Sequence, residues 1–203
     1  MYNVHILYIG GMTNPEIIQC VFDIKSWFIR SNDNGSNLED RLIKATLIDY
    51  QKLEKTLDIE LPKTLKILLN EMNGGIYFMD MKLMSTNEII NFYIKLEKNK
   101  EWKNNLYIPF AFNDDIILII KKLHHDDHND DDGEVYEWEI DNDGDGSNGC
   151  LGSLVCNSLS KYLEDYRNNL LSGHYEYLDD VGVIEVGGGS SSSNNGGGNK
   201  SKK

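Results

Sequence analysis

Between Leu53 and Gly75 the chain reads LEKTLDIELPKTLKILLNEMNGG, and this segment restricts the fold more than any other. Upstream of it, LEDRLIKATLIDYQKLEKTL sets Leu38, Leu42, Ile43, Leu47, Tyr50, Leu53 and Leu57 at helical spacing. That periodicity predicts an amphipathic helix from an Asn37 N-cap, with Asp40 in its first turn. After Asp58 the chain turns, and Pro62 suits the first turn of a second helix, where a missing N–H costs no hydrogen bond. Leu65, Leu68, Leu69 and Met72 form the apolar stripe of that helix. Asn73-Gly74-Gly75 then supplies residues that tolerate positive φ, which ends the helix and leads into IYFMDMKLM, an expected strand. The unit reads helix, turn, helix, stop, strand, and it contains no evident catalytic group.

The flanking sequence predicts more of the same two-layer material. YNVHILYI at the N-terminus reads as a strand, and Asn14-Pro15 starts a helix, PEIIQCVFDIKSWFIR, too apolar to stand free. Ser85-Thr86-Asn87-Glu88 has capping-box spacing before Ile89, Ile90, Tyr93, Ile94 and Leu96. IPFAF and IILIIKK read as strands, the second apolar enough for the middle of a sheet. In EVYEWEI, Tyr136, Trp138 and Ile140 alternate with Glu137 and Glu139, which predicts a half-buried antiparallel strand. SLSKYLEDYRNNLL is a final helix stopped by Gly173, and YEYLDDVGVIEV adds strand character. The expected fold class is α+β, a twisted, mostly antiparallel sheet packed with helices. Its expected parts are an N-terminal strand and helix (1–30), a main domain (38–186) and a Gly/Ser/Asn/Lys tail (187–203) that cannot bury apolar surface.

Leu53-Glu54, Asp58-Ile59, Leu61-Pro62, Leu65, Leu68 and Asn73-Gly74-Gly75, in that order and spacing, resemble the SUKH superfamily. This group includes fungal cell-wall-assembly regulators and bacterial toxin-immunity proteins. Ile108-Pro109-Phe110-Ala111-Phe112, Gly133-Glu134-Val135-Tyr136 and Asn157-Ser158-Leu159 extend the similarity over residues 38–172. The resemblance implies a SUKH-like fold, with Leu61, Pro62, Asn73, Gly74 and Gly75 as its signature. It also implies a binding domain without enzymatic activity.

The net charge is −13 for the whole chain and −16 for residues 1–186, because the tail holds Lys200, Lys202 and Lys203. Such a surface repels phosphate backbones, which argues against direct nucleic-acid binding and favours a basic protein partner. Cys20, Cys150 and Cys156 show no CxxC spacing, and neither a secretion signal nor a membrane-spanning run is visible. The expectation is a reduced, cytoplasmic protein with no membrane partner.

Two polar stretches invite a metal reading. HHDDHNDDD, residues 124–132, gathers His124, His125 and His128 among aspartates, as a transition-metal site or as a solvated hairpin loop. Asp141, Asp143 and Asp145 with Gly146 match the opening of a calcium loop, but position twelve is Gly152 where a bidentate Glu belongs. Ordinary turn chemistry accounts for the same residues. No GxSxG, GxxxxGK or HExxH pattern occurs, so no catalytic set is expected and no cofactor is required. A metal-dependent hydrolase built from these Asp and His residues is the weakest alternative.

Residues 124–160 contain no Lys or Arg. Glu134, Glu137 and Glu139 are therefore the expected partner-binding acids, with Tyr136 or Trp138 as an aromatic anchor if exposed. The expected function is an intracellular protein–protein interaction module, regulatory or toxin-neutralising; the alternative is a calcium- or transition-metal-binding protein using residues 124–145.

Overall fold

A computed structural model describes residues 13–31, 42–103, 107–121, 132–141, 149–178 and 182–186. The expected N-terminal strand, the cap at Asn37, His124, His125 and His128, Asp143, Asp145 and the C-terminal tail lie outside these residues.

The signature segment folds largely as its pattern dictates. Helix α1 is Asn14–Ser31, α2 is Leu47–Leu57 and α3 is Lys63–Glu71. Leu65, Leu68, Leu69 and Met72 are all wholly buried, so the predicted stripe is the real one. Asp58 closes α2 in the left-handed region at φ 53°, a conformation that Asp tolerates better than most residues. Leu61 is buried and donates its N–H to Glu54 Oε1 at 3.1 Å, and the same carboxylate pairs with Lys66 at 2.7 Å. Gly74 and Gly75 adopt φ 89° and 84°.

One boundary differs from expectation. Helix α2 starts at Leu47, because Thr46 and Asp49 form a capping box there. Residues 42–46 are non-helical and lie along α3, with Ala45 N–H donating to Leu69 O and Asn73 N–H to Ile43 O. Leu42 and Ala45 are consequently buried, while Ile43 and Leu47 of the predicted apolar face are exposed.

The stretch IYFMDMKLM is a hairpin, β1 (Tyr77–Phe78) and β2 (Met81–Leu83), turning through Met79 at φ 58°. Helix α4 (Thr86–Leu96) carries the predicted Ser85–Glu88 capping box. Asn73 pins its start: its Oδ1 accepts from Thr86 N–H at 2.7 Å. A short helix α5 (Lys100–Lys103) places Trp102 in the core.

Strands β3 (Tyr107–Phe112), β4 (Ile116–Lys121), β5 (Glu134–Ile140) and β6 (Gly149–Cys156) follow, then α6 (Leu159–Leu171) and a separate hairpin, β7 (Tyr175–Leu178) and β8 (Gly182–Glu185). The main sheet is an antiparallel meander, β1 to β6 in sequence order. The architecture is α+β. On one face, α4 and α5 cover the sheet, with Phe92 against Phe112 and Trp102 against Tyr107 and Trp138. On the other, α6 sets Tyr162 against Phe78 and Phe110. Helix α1 packs on α6 and α3 through Ile17, Cys20, Val21, Ile24 and Phe28, within the same core. Ile18 and Phe22 point away from it.

Between β4 and β5 the chain returns at a fixed point. Asp132 is buried and accepts from Ser160 N–H at 3.2 Å, at the first turn of α6. Gly133 follows at φ 64°, where a Cβ would lie 2.7 Å from both Ile120 Cγ2 and Lys121 O.

Candidate interaction surface on the acidic strand and the sheet edge

The register of β5 decides where its side chains go. Lys121 pairs with Glu134, Ile119 with Tyr136 and Ile117 with Trp138. Residues paired across antiparallel strands share a face, so Glu134, Tyr136 and Trp138 lie on the α5 side. Val135, Glu137 and Glu139 lie on the α6 side. The predicted alternation holds, but Trp138 cannot serve as an anchor. It is 0% exposed, stacked edge-on against Trp102 at 5.0 Å, and its indole N–H finds no acceptor among the described residues. The cause is the neighbouring strand: with β4 pairing on one side and α5 on top, position 138 falls over the core.

Tyr136 is half-buried. Its hydroxyl donates to Glu134 Oε2 at 3.0 Å, and Lys121 Nζ sits 5.4 Å from its ring centre. Burial, reinforced by that carboxylate, pushes the phenol above its ordinary pKa. The arrangement is a cation, a ring and a carboxylate in one row.

On the opposite face, Ser153 Oγ donates to Glu137 Oε2 at 2.6 Å, while Glu139 is exposed. No Lys or Arg among the described residues forms an ion pair with Glu134, Glu137 or Glu139. The helical side is different: Glu71 joins Lys25 at 3.2 Å and Lys44 at 2.9 Å, and Glu88 joins Lys82 at 2.8 Å. Asp132, one of the predicted acidic run, is held internally by Ser160, so it adds nothing to this surface.

Strand β6 borders the acids and forms the edge of the sheet, since no described strand pairs along its other side. Its sequence, GCLGSLVC, carries no alternation or propensity that marks a strand. Gly149 fits there because a Cβ would stand 2.3 Å from Glu139 O and 2.4 Å from Trp138 Nε1. Gly152, the twelfth position of the calcium-loop reading, sits inside β6, with its Cβ direction 3.3 Å from Glu139 Oε1. A strand therefore occupies the place where a calcium loop would run into a helix. Asp141 is exposed at the end of β5, and no cluster of three His, Cys, Asp or Glu residues suited to a metal occurs among the described residues.

Two open depressions lie on the helical side. One is lined by Phe22, Asp23, Lys25 and Ile29 of α1; the other runs between Ile18, Tyr50, Lys66 and Ile67. Tyr50 donates its hydroxyl to Lys66 O at 2.8 Å, and burial pushes its pKa up to about 12. Burial likewise raises the Cys20 thiol to about 11. Both groups are held in their protonated, unreactive forms. Among the described residues no helix is long and apolar enough to cross a membrane.

The comparison with known families agrees with the fold. The model of the SMI1 / KNR4 family (SUKH-1) matches residues 44–165, more than half of the chain. The matched span runs from the segment before α2 to the middle of α6, so it contains the whole main sheet. No curated protein matches the chain.

Proposed function

The chain belongs to the SMI1 / KNR4 family (SUKH-1), and from this premise we propose that it is a non-enzymatic protein–protein interaction module that binds a basic partner inside the cell. The family is in general one of non-catalytic regulators and immunity proteins. The observation that carries the reading is β5: Glu137 and Glu139 on the α6 side and Glu134 on the opposite face flank the edge strand, unpaired with any described cation, in a stretch without Lys or Arg. Long-range attraction from such a surface raises association rates for a cationic partner and rejects anionic ones.

The test is capture of partners from lysate by the full chain and by the triple variant Glu134→Gln, Glu137→Gln, Glu139→Gln, at low and high salt. Glutamine keeps an acceptor for Tyr136 and Ser153, so the fold is preserved while the charge is removed. A partner held at low salt, released at high salt and absent from the variant supports the reading. Identical partners on both proteins would refute it.

A further inference from the structure

We propose that the outer edge of β6 recognises its partner by strand addition, accepting an extended, lysine- or arginine-bearing segment as a seventh strand of the sheet. This rests on the reading above that the partner is basic, and it specifies the partner's conformation and the place of contact.

The two edges of the sheet are built differently. At one end, β1 has two residues and is shielded by contact with β8. At the other, β6 has eight residues, GCLGSLVC, spanning about 27 Å at the usual strand rise. Natural edge strands are usually blunted by lysine, proline, an inward charge or a covering loop. Strand β6 contains no charged residue and no proline. Leu154 and Val155 are 46% and 39% exposed.

Among the described residues, no strand takes up the outward backbone groups of this edge. Ile140 N–H donates to Asp115 O on the β4 side, so the Gly149 peptide opposite Ile140 faces outward. Asn99 Nδ2 already bonds its carbonyl at 3.0 Å, which fixes where an added strand begins. Register shifts follow at Val135/Tyr136 and at Tyr136/Trp138, each placing an extra β6 residue against β5. The extra residue of a bulge is left without a ladder partner.

Charge selects the occupant. Gly152 and Ser153 are the small residues beside Glu137 and Glu139, so both carboxylates lean over the β6 backbone: Glu137 takes the Ser153 hydroxyl, and Glu139 Oε1 lies 3.3 Å from where a Gly152 Cβ would be. A basic side chain on a seventh strand reaches these carboxylates across two small residues. A second copy of the chain would instead bring its own Glu137 and Glu139 to the same place, between molecules of net charge −13. In strand addition the main-chain bonds supply affinity and alternate side chains supply specificity, which is the division of labour seen here.

The experiment uses the full chain and two synthetic peptides of alternating lysine and valine, one unmodified and one N-methylated at alternate residues. Methylation keeps charge and shape but deletes ladder donors. The unmodified peptide is expected to bind at low salt and to slow amide exchange within Cys150–Cys156. The methylated peptide should bind at least about tenfold more weakly, because several hydrogen bonds are lost. Equal binding of both peptides without protection of β6 would overturn strand addition while leaving the acidic-surface reading intact. Failure of both peptides would also overturn it, and the Gln variant's capture result then decides separately whether the acids bind a partner. Protection of β6 in the chain alone, with a dimer in sedimentation, would identify a second copy as the occupant and refute the basic segment.

Discussion

Strands β4 and β6 belong to one sheet, two positions apart, yet they are made of different material. Strand β4 is IILIIK, with Ile117, Leu118, Ile119 and Ile120 all buried, because it is paired on both sides and covered on both faces. No residue of β6 is buried, and glycine, serine and cysteine make up most of it. The residues of β4 suit what the strand packs against. Strand β6 is chosen for what it leaves room for: the indole of Trp138 and the carboxylates of Glu137 and Glu139.

Truncating a side chain in each strand should cost the two very different amounts of stability. Ile119→Ala in β4 is expected to cost about 2–5 kcal/mol in chemical denaturation, whereas Leu154→Ala in β6 should cost under about 1 kcal/mol. Comparable losses would mean that the edge is covered. Gly149→Ala is the exception expected on β6. Its methyl would meet the Glu139 carbonyl and the indole, so a loss of about 2–3 kcal/mol, far above that of Leu154→Ala, is predicted from overpacking.

A third test contrasts the acids of β5, which have no ion pair among the described residues, with the paired acids of the helices. Burial pushes the Glu71 carboxyl up, but hydrogen bonds and ion pairs from Lys44 and Lys25 outweigh it and hold the net value below the usual 4.5. A carboxyl depressed in the folded state contributes stability that is present above the unfolded pKa and is lost as pH falls through the folded one. Glu71→Gln should therefore be less stable than the parent at neutral pH, with the gap closing below pH 4.5 in acid titrations followed by fluorescence. A pH-independent gap would show that the variant acts through packing.

The smallest effect separates the cysteines. Cys20, buried at 0% exposure with its pKa raised to about 11, should resist a soluble thiol reagent, while the exposed Cys150 on β6 reacts quickly. Equal rates would show either that α1 detaches from the core or that the edge is occupied.

What was legible in the sequence follows the same division. The stripes of α3 and α6, the Ser85 capping box and the apolar run of β4 are strong periodic or capping signals, and each appears where expected. The helical spacing of Leu42, Ile43 and Leu47 continues that of α2, but of the three only Leu42 is buried, where residues 42–46 pair with α3 in a non-helical conformation. Strand β6 was invisible because its glycines and serine have low strand propensity and answer to neighbours distant in sequence. Of the proposed surface, Glu134, Tyr136, Glu137 and Glu139 could be named from the absence of Lys and Arg around them, while alternation divides them between two faces. The burial of Trp138 and the edge beside it depend on strand order, which alternation does not encode.

The fixed return point at Asp132 and Gly133 has one more consequence. Because the buried carboxylate is tied to α6 and the glycine lies against Ile120 and Lys121, the pairing of Lys121 with Glu134 is set independently of how many residues separate them. A chain altered anywhere before Asp132 is therefore expected to keep the Lys121–Glu134 register, whereas loss of the Asp132 carboxylate or of Gly133 removes the anchor that sets it.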